Sequence, residues 1–437
     1  MNDSEAAGDR LFRASAAAAL ALHALLLARS DGLQGGADLQ AHLRLMQLMA
    51  EAPALRNPYA PAYHLLGALL APALGYAVYT KLVAFLGAAG LIAGFRFFQR
   101  AAGLPAAASA VFVWTPYAFA LTWCLPKLET AGYALAFSGL ALLLHRRHTG
   151  AALMLALAFG VHTAAALFLG LTGGVLALWL RDRRAVGALA IGSLAGALLI
   201  AVHLRAGCSP AEALLFSQGD YLRTASRAGS LSHWPSQLAL AGVPALAAAA
   251  LGARELVRRH PTASVLAAVV CLLYLNELWL APFGARTTLD LQRGLAVFAF
   301  PVAAAAGVAL SARPRWLVGG IAACALWAAA CALWVVPGSC TVRAIDLDQV
   351  RQLSVDRCAF RWRIALRPQA GAKLTPAPAG PPPARTDRRG SGGPSDRPWR
   401  ARAAAPRSPP PSRRARSARA RSSEAPAASG PLARAPA

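Results

Sequence analysis

The sequence is short of charge. Only 14% of its 437 residues are Asp, Glu, Lys or Arg, against about 25% in a soluble domain, which excludes an ordinary soluble enzyme. Acids are scarcest: 19 Asp and Glu stand against 44 Lys and Arg, so each carboxylate outside the tail is a conspicuous candidate for chemistry. The seven cysteines include no C-x-x-C pair and no His grouping at ligand spacing, which removes zinc and thioredoxin-like readings. No internal repeat is evident.

Apolar residues fill the space: 57% of the chain is hydrophobic and the mean hydropathy is +0.44. Runs near the length of a bilayer span cover Phe12–Ala28, Tyr59–Gly75, Val78–Phe98, Leu104–Leu125, Thr130–Leu144 and Ala151–Leu180. Further runs are Ala185–Leu204, Ser236–Ala253, Pro261–Ala281, Gly294–Ser311 and Trp316–Val336. Tyr59–Gly75 is short and carries Pro61 and Pro72 after Pro58, so it reads as a segment lying along or dipping into the membrane. Ala151–Leu180 is too long for one span and has His162 near its middle, so it reads as two short helices meeting at a polar turn. The expected fold is therefore all-α, a polytopic transmembrane bundle of about eleven spans with a cytoplasmic N-terminus. The first run is read as a retained span rather than a cleaved signal peptide.

Charge supports that arrangement. With those two choices Arg10 and Arg13, Arg96 and Arg100, Arg146 and Arg147, Arg181, Arg183 and Arg184, Arg254, Arg258 and Arg259, and Arg313 and Arg315 all fall on one side, in short links, as the positive-inside rule expects. Residues 1–11 are then a cytoplasmic N-terminus and 12–336 the transmembrane domain. A first external loop covers 29–77, a short external segment 337–368, and an Arg, Pro, Ala and Ser-rich tail 369–437. The formal net charge of +25 alone would suggest a nucleic-acid partner. Much of it sits in the tail, where Gly371–Ala437 hold fourteen Lys and Arg against three acids. That composition cannot offset the entropy of ordering, so the tail is expected to be disordered and no nucleic acid is expected as a partner. Cys340 and Cys358 flank a polar stretch and are either a disulfide, if that stretch is external, or two free thiols. Small residues spaced at Gly90 and Gly94, Gly170 and Gly174, and Gly192 and Gly196 predict close helix packing.

The candidate chemistry lies in the external segments. Asp38 and His42 are four residues apart, on one face of a helix whose other face carries Leu39, Leu43 and Met46; an N-cap Asp and a surface His would give the same pattern. Lys127 and Glu129 lie in the next external link, and Arg286, Asp290 and Arg293 precede a later span. Lys81 reads as a snorkelling cation, His23 and His203 as structural. His162 and, in the ninth run, Asn276 and Glu277 lie at membrane level, where ionisable groups tend to be functional.

An acid soon after the first span, a loop helix, and the segment Asn57 to Tyr63, Asn-Pro-Tyr-Ala-Pro-Ala-Tyr, together resemble the integral-membrane glycosyltransferases of the GT-C superfamily. The resemblance covers about residues 14–310 and is mainly one of layout. It implies transfer of a sugar from a polyprenyl-phosphate carrier to a cell-envelope acceptor, at the external face of the plasma (inner) membrane. It also implies catalytic roles for Asp38 and Glu129; the chemistry of displacing a lipid phosphate adds His42 to the catalytic candidates beside Asp38 and Lys127, Arg286 and Arg293 as phosphate-binding cations, and the membrane-level position of His162 adds it to the substrate-binding candidates. His42 stands where such enzymes often carry a second acid, so the need for a divalent cation is left open. A transporter or flippase for a lipid or polar solute, and a noncatalytic membrane protein, fit the same layout.

Overall fold

The computed structural model describes residues 3–29, 46–47, 49–50, 61–115, 128–204, 234–280 and 291–339. The disordered-tail expectation, the Cys340 and Cys358 pair and most of the first external loop lie outside them. Among the described residues every regular element is an α-helix. In chain order these are α1 (Asp3–Arg29), α2 (Pro61–Leu74), α3 (Tyr76–Ala101), α4 (Ala106–Val113), α5 (Leu128–Leu144), α6 (His148–Val161) and α7 (Thr163–Trp179). There follow α8 (Arg183–Leu204), α9 (Trp234–Arg259), α10 (Pro261–Tyr274), α11 (Asn276–Leu280), α12 (Leu291–Ser311) and α13 (Pro314–Ser339).

Among the described residues three helices are long and apolar enough to cross a membrane: α3, Arg183–Ala201 of α8 and Pro314–Cys331 of α13. Shorter apolar stretches of 10 to 17 residues are Ala62–Leu74, Glu129–Leu144, His148–Val161, Thr163–Trp179, Pro261–Tyr274 and Val297–Ser311. Of the run expected over Leu104–Leu125, residues 116–125 lie outside the described residues, and the described part holds the eight-residue helix α4, buried throughout. Pro116 accounts for its end: the residue before a proline is pushed out of the helical region, and Thr115 closes the turn with its Oγ1 donating to Phe112 O at 2.8 Å. The run Ser236–Ala253 lies inside α9, which bends at Gly242 (φ 98°, ψ 100°) two residues before Pro244, a proline kink absorbed by glycine.

The core is aromatic. Phe95 stacks on Phe112 at 3.8 Å between ring centres, meets Phe137 edge-on at 5.3 Å, and neighbours Phe98, which meets Phe300 at 5.1 Å. These rings lock α3, α4, α5 and α12 together and are fully buried. Around them the helices approach backbone to backbone. A Cβ at Gly252 would fall 2.0 Å from Ala305 O, one at Gly307 2.4 Å from the Ala108 backbone, and one at Gly94 2.6 Å from Ala134 O. Gly192 sits likewise against Ala152. The expectation for Gly170 and Gly174 is corrected: a Cβ at either meets nothing within 4 Å, whereas Gly173 between them faces Leu143 and Leu189. The registers also give direction, since Gly87 faces Thr130 and Gly94 faces Ala134, so α3 and α5 run parallel.

One end of the bundle collects the arginines. Asp9 of α1 is paired with Arg96 of α3 and accepts a 2.7 Å hydrogen bond from Arg13. Arg96 in turn donates to Gln99, whose amide donates to Leu104 O ahead of α4. Burial pushes the Asp9 carboxyl up, but the Arg13 hydrogen bond and the charges of Arg96, Arg13 and Arg100 outweigh it, and the net shift is downward. At the same end Phe97 stacks on His145 at 5.7 Å.

Three helices finish there in the same way. Leu104 N donates to Gln99 O and Gly103 N to Arg100 O; Arg147 N donates to Leu142 O and Arg146 N to Leu143 O; Asp182 N donates to Ala177 O and Arg181 N to Leu178 O. Each pair is a Schellman closure with a left-handed residue inside it, Gly103 at φ 65°, Arg146 at φ 56° and Arg181 at φ 53°. The last two are joined across α6 and α7, because His148 Nε2 lies 2.8 Å from Asp182 Oδ2. Both ends of the long apolar run thus return to one place, and α6 and α7 form a hairpin, as the length of the run and His162 predict. Asp182 also caps α8, its Oδ1 accepting from the Arg184 and Ala185 amides at 3.0 and 3.1 Å. The His148 hydrogen bond first, then the Ala185 amide, hold its carboxyl below the usual 3.8 against the opposing effect of burial.

Two measurements test this framework. Gly252→Ala and Gly307→Ala, each driving a methyl into backbone, are expected to lower stability in detergent by about 1–3 kcal/mol, while Gly170→Ala leaves it unchanged or raises it by up to about 1 kcal/mol through helix propensity. Because the Asp182 pKa is lowered in the fold, its contribution is full above 3.8 and is lost as pH falls through the lowered value. The gap in unfolding midpoint between the wild-type chain and Asp182→Asn is therefore expected to be constant near pH 6 and to close in acid.

Candidate functional site

The end of the bundle opposite the arginines brings together an acid and an imidazole. Glu129 is the second residue of α5 and its only acid in the first turn, where the helix dipole favours a carboxylate. Residues three and four positions on share its face, and these are Gly132 and Tyr133. A Cβ at position 132 would fall 2.8 Å from His162 Cβ and 2.9 Å from Ala165 Cβ, so glycine is what allows the apex of the α6–α7 hairpin to close over the start of α5.

His162 is that apex. Its backbone is extended (φ −158°, ψ 112°) between two helices, yet little hydrogen bonding is lost. Its N–H donates to Ala158 O at 2.7 Å, ending α6, and its carbonyl accepts from Ala165 and Ala166 at 3.1 Å, starting α7. A break one residue long therefore turns the chain and presents an imidazole without leaving an apolar hairpin end open.

The two side chains meet there: His162 Nε2 lies 3.6 Å from Glu129 Oε1, with the His side chain 25% and the Glu side chain 16% exposed. Tyr133 is buried beneath them, its ring 6.3 Å from the imidazole and edge-on to Phe168 at 5.9 Å. A half-buried carboxylate and imidazole at this separation, on a rigid aromatic floor, can move a proton between a bound hydroxyl and the protein.

A second polar cluster sits where α2 packs on the start of α3. Tyr79 donates through its hydroxyl to Tyr63 O at 2.9 Å, the two rings stack at 5.7 Å, and His64 packs on Tyr63 at 5.5 Å. Met46 of the first loop lies against Gly67 of α2.

Of the residues predicted from sequence, Glu129 and His162 are brought together. Asp38, His42, Lys127 and Arg286 lie outside the described residues, as does the side chain of Arg293, whose backbone is in the first turn of α12. Asn276 is buried and donates to Leu273 O at 2.6 Å, in the break between α10 and α11. The sequence reading missed Gly132 and Tyr133, although their spacing of three and four from Glu129 was the available signal. Among the described residues no group of three His, Cys, Asp or Glu side chains is placed to hold a metal ion.

A double-mutant cycle reads the pair directly. Glu129→Gln and His162→Asn are expected to couple by about 0.5–3 kcal/mol in unfolding free energy, whereas Glu129→Gln combined with His23→Asn, on α1, is additive. No family model, no curated protein and no solved structure matches this chain.

Proposed function

We propose that this protein is a multi-pass glycosyltransferase of a bacterial-type inner membrane, transferring a sugar from a polyprenyl-phosphate carrier to an envelope acceptor. In this reading the arginine-bearing end is cytoplasmic by the positive-inside rule, and the Glu129 end opens externally. The observation that carries it is the contact between Glu129 and His162, an acid and an imidazole on separate helices at the end away from the arginines.

The depth of the pair suits a lipid-borne substrate. With 14 residues, α6 rises about 21 Å, short of a hydrocarbon core of about 30 Å. A hairpin apex at that level lies beneath the external interface, within reach of a carrier phosphate anchored in the bilayer.

The reaction needs three things. A carboxylate must take the proton of the acceptor hydroxyl as its oxygen bonds to the anomeric carbon, the carbon–oxygen bond to the carrier phosphate must break, and cations must receive the departing phosphate. Asp38 is assigned the base, with His42 orienting it. Glu129 holds His162 toward the phosphate, and Lys127, Arg286 and Arg293 are the cations available from the external segments.

Purified protein given a radiolabelled polyprenyl-phosphate sugar and an envelope extract is expected to transfer label, with Asp38→Asn reducing the rate about 10²–10⁴-fold and Glu129→Gln lowering it less. Absence of transfer, together with uptake of solute or lipid into proteoliposomes unaffected by Asp38→Asn, would replace the enzyme with a transporter.

A further inference from the structure

The hydrogen bond between His148 and Asp182 does more than close a hairpin. It draws the α5–α6 turn against the α7–α8 turn, and so gathers Arg146 and Arg147 from one with Arg181, Arg183 and Arg184 from the other. All five are exposed. Between positions 145 and 184 the sequence holds one acid, Asp182, and its two oxygens are already engaged by His148 and by the α8 amides. The paired turns therefore set five arginines against the one carboxylate of Asp182.

Two further features set these turns apart. Arg146 and Arg181 occupy left-handed positions (φ 56° and 53°), which glycine fills without strain, as at Gly103 in the third closure of the same kind. The fold thus keeps a strained arginine at both paired turns and relaxes the one outside the patch. Arg147, at the N-cap of α6, supplies no side-chain hydrogen bond to the first amides of that helix, so they add positive potential on the same side. Next to the arginines Leu178 is 71% and Trp179 53% exposed, an apolar and aromatic fringe fit for acyl chains and the interface.

We infer that the paired α5–α6 and α7–α8 turns form a binding site for the phosphate headgroup of an anionic phospholipid, its acyl chains lying along Leu178 and Trp179. Exposed arginines gathered beside an apolar fringe suit a lipid phosphodiester. The site is separate from the Glu129 and His162 end and independent of sugar transfer.

Native mass spectrometry of the delipidated full chain in detergent, titrated with phosphatidylglycerol, phosphatidylcholine or inorganic phosphate, tests it. Phosphatidylglycerol is expected to bind, phosphatidylcholine at least about tenfold more weakly. Replacing all five arginines by Gln is expected to abolish the difference. The milder Arg147→Gln with Arg184→Gln, which leaves the left-handed positions untouched, should weaken phosphatidylglycerol by about tenfold or more and serves if the fivefold variant fails to fold. Arg254→Gln with Arg258→Gln and Arg259→Gln, in another basic turn, should leave it unchanged. Equal loss in both basic turns, retention of phosphatidylglycerol by the double variant, or binding of inorganic phosphate as tight as that of the lipid would overturn the site.

Discussion

A chain this apolar must satisfy its backbone within its own helices, because an open N–H or carbonyl in a low-dielectric surrounding costs several kcal/mol. Helix interiors meet that demand automatically and helix ends do not. The architecture is accordingly decided at its breaks. At the arginine end three Schellman closures recover the last carbonyls, and at the opposite end His162 serves as the last donor of one helix and the first acceptor of the next. Polar side chains are admitted where those breaks occur, which is why the acid and imidazole of the candidate site and the five arginines of the paired turns both stand at helix termini.

The bundle is held by two kinds of contact. Phenylalanines of α3, α4, α5 and α12 interlock at the centre, and glycines let helices touch backbone to backbone at Gly94, Gly252 and Gly307. Neither relies on excluding water, so both remain effective in a lipid surrounding. Charge does separate work at the arginine end, where Asp9 joins the first helix to Arg96 of α3 and Asp182 holds the hairpin shut.

The site was half legible. Scarcity made Glu129 visible, and the length of the run between residues 151 and 180, with a histidine inside it, announced a turn at His162. Nothing in the linear pattern joins those two residues, which are 33 positions apart; their meeting depends on α5 and α7 running side by side and on the missing side chain at Gly132. The helix of eight residues at α4 hid within an unbroken apolar run, because hydropathy records composition and Pro116 alone marks the stop. Glycine spacing was a partial guide for the same reason: Gly192 and Gly196 lie against α6, while Gly170 and Gly174 face open space on α7.

By itself the sequence determined the helical class. Few charges and long apolar runs leave helices as the economical way to close the backbone, and the clustering of arginine in short links sorts those links to one end. Tertiary structure alone decided which residues meet. The pairing of His148 with Asp182, of Glu129 with His162 and of Gly252 with Ala305 are contacts over 33 to 53 positions. They depend on the register and direction in which helices pack, which follow from the shapes of whole faces rather than from any local run of residues.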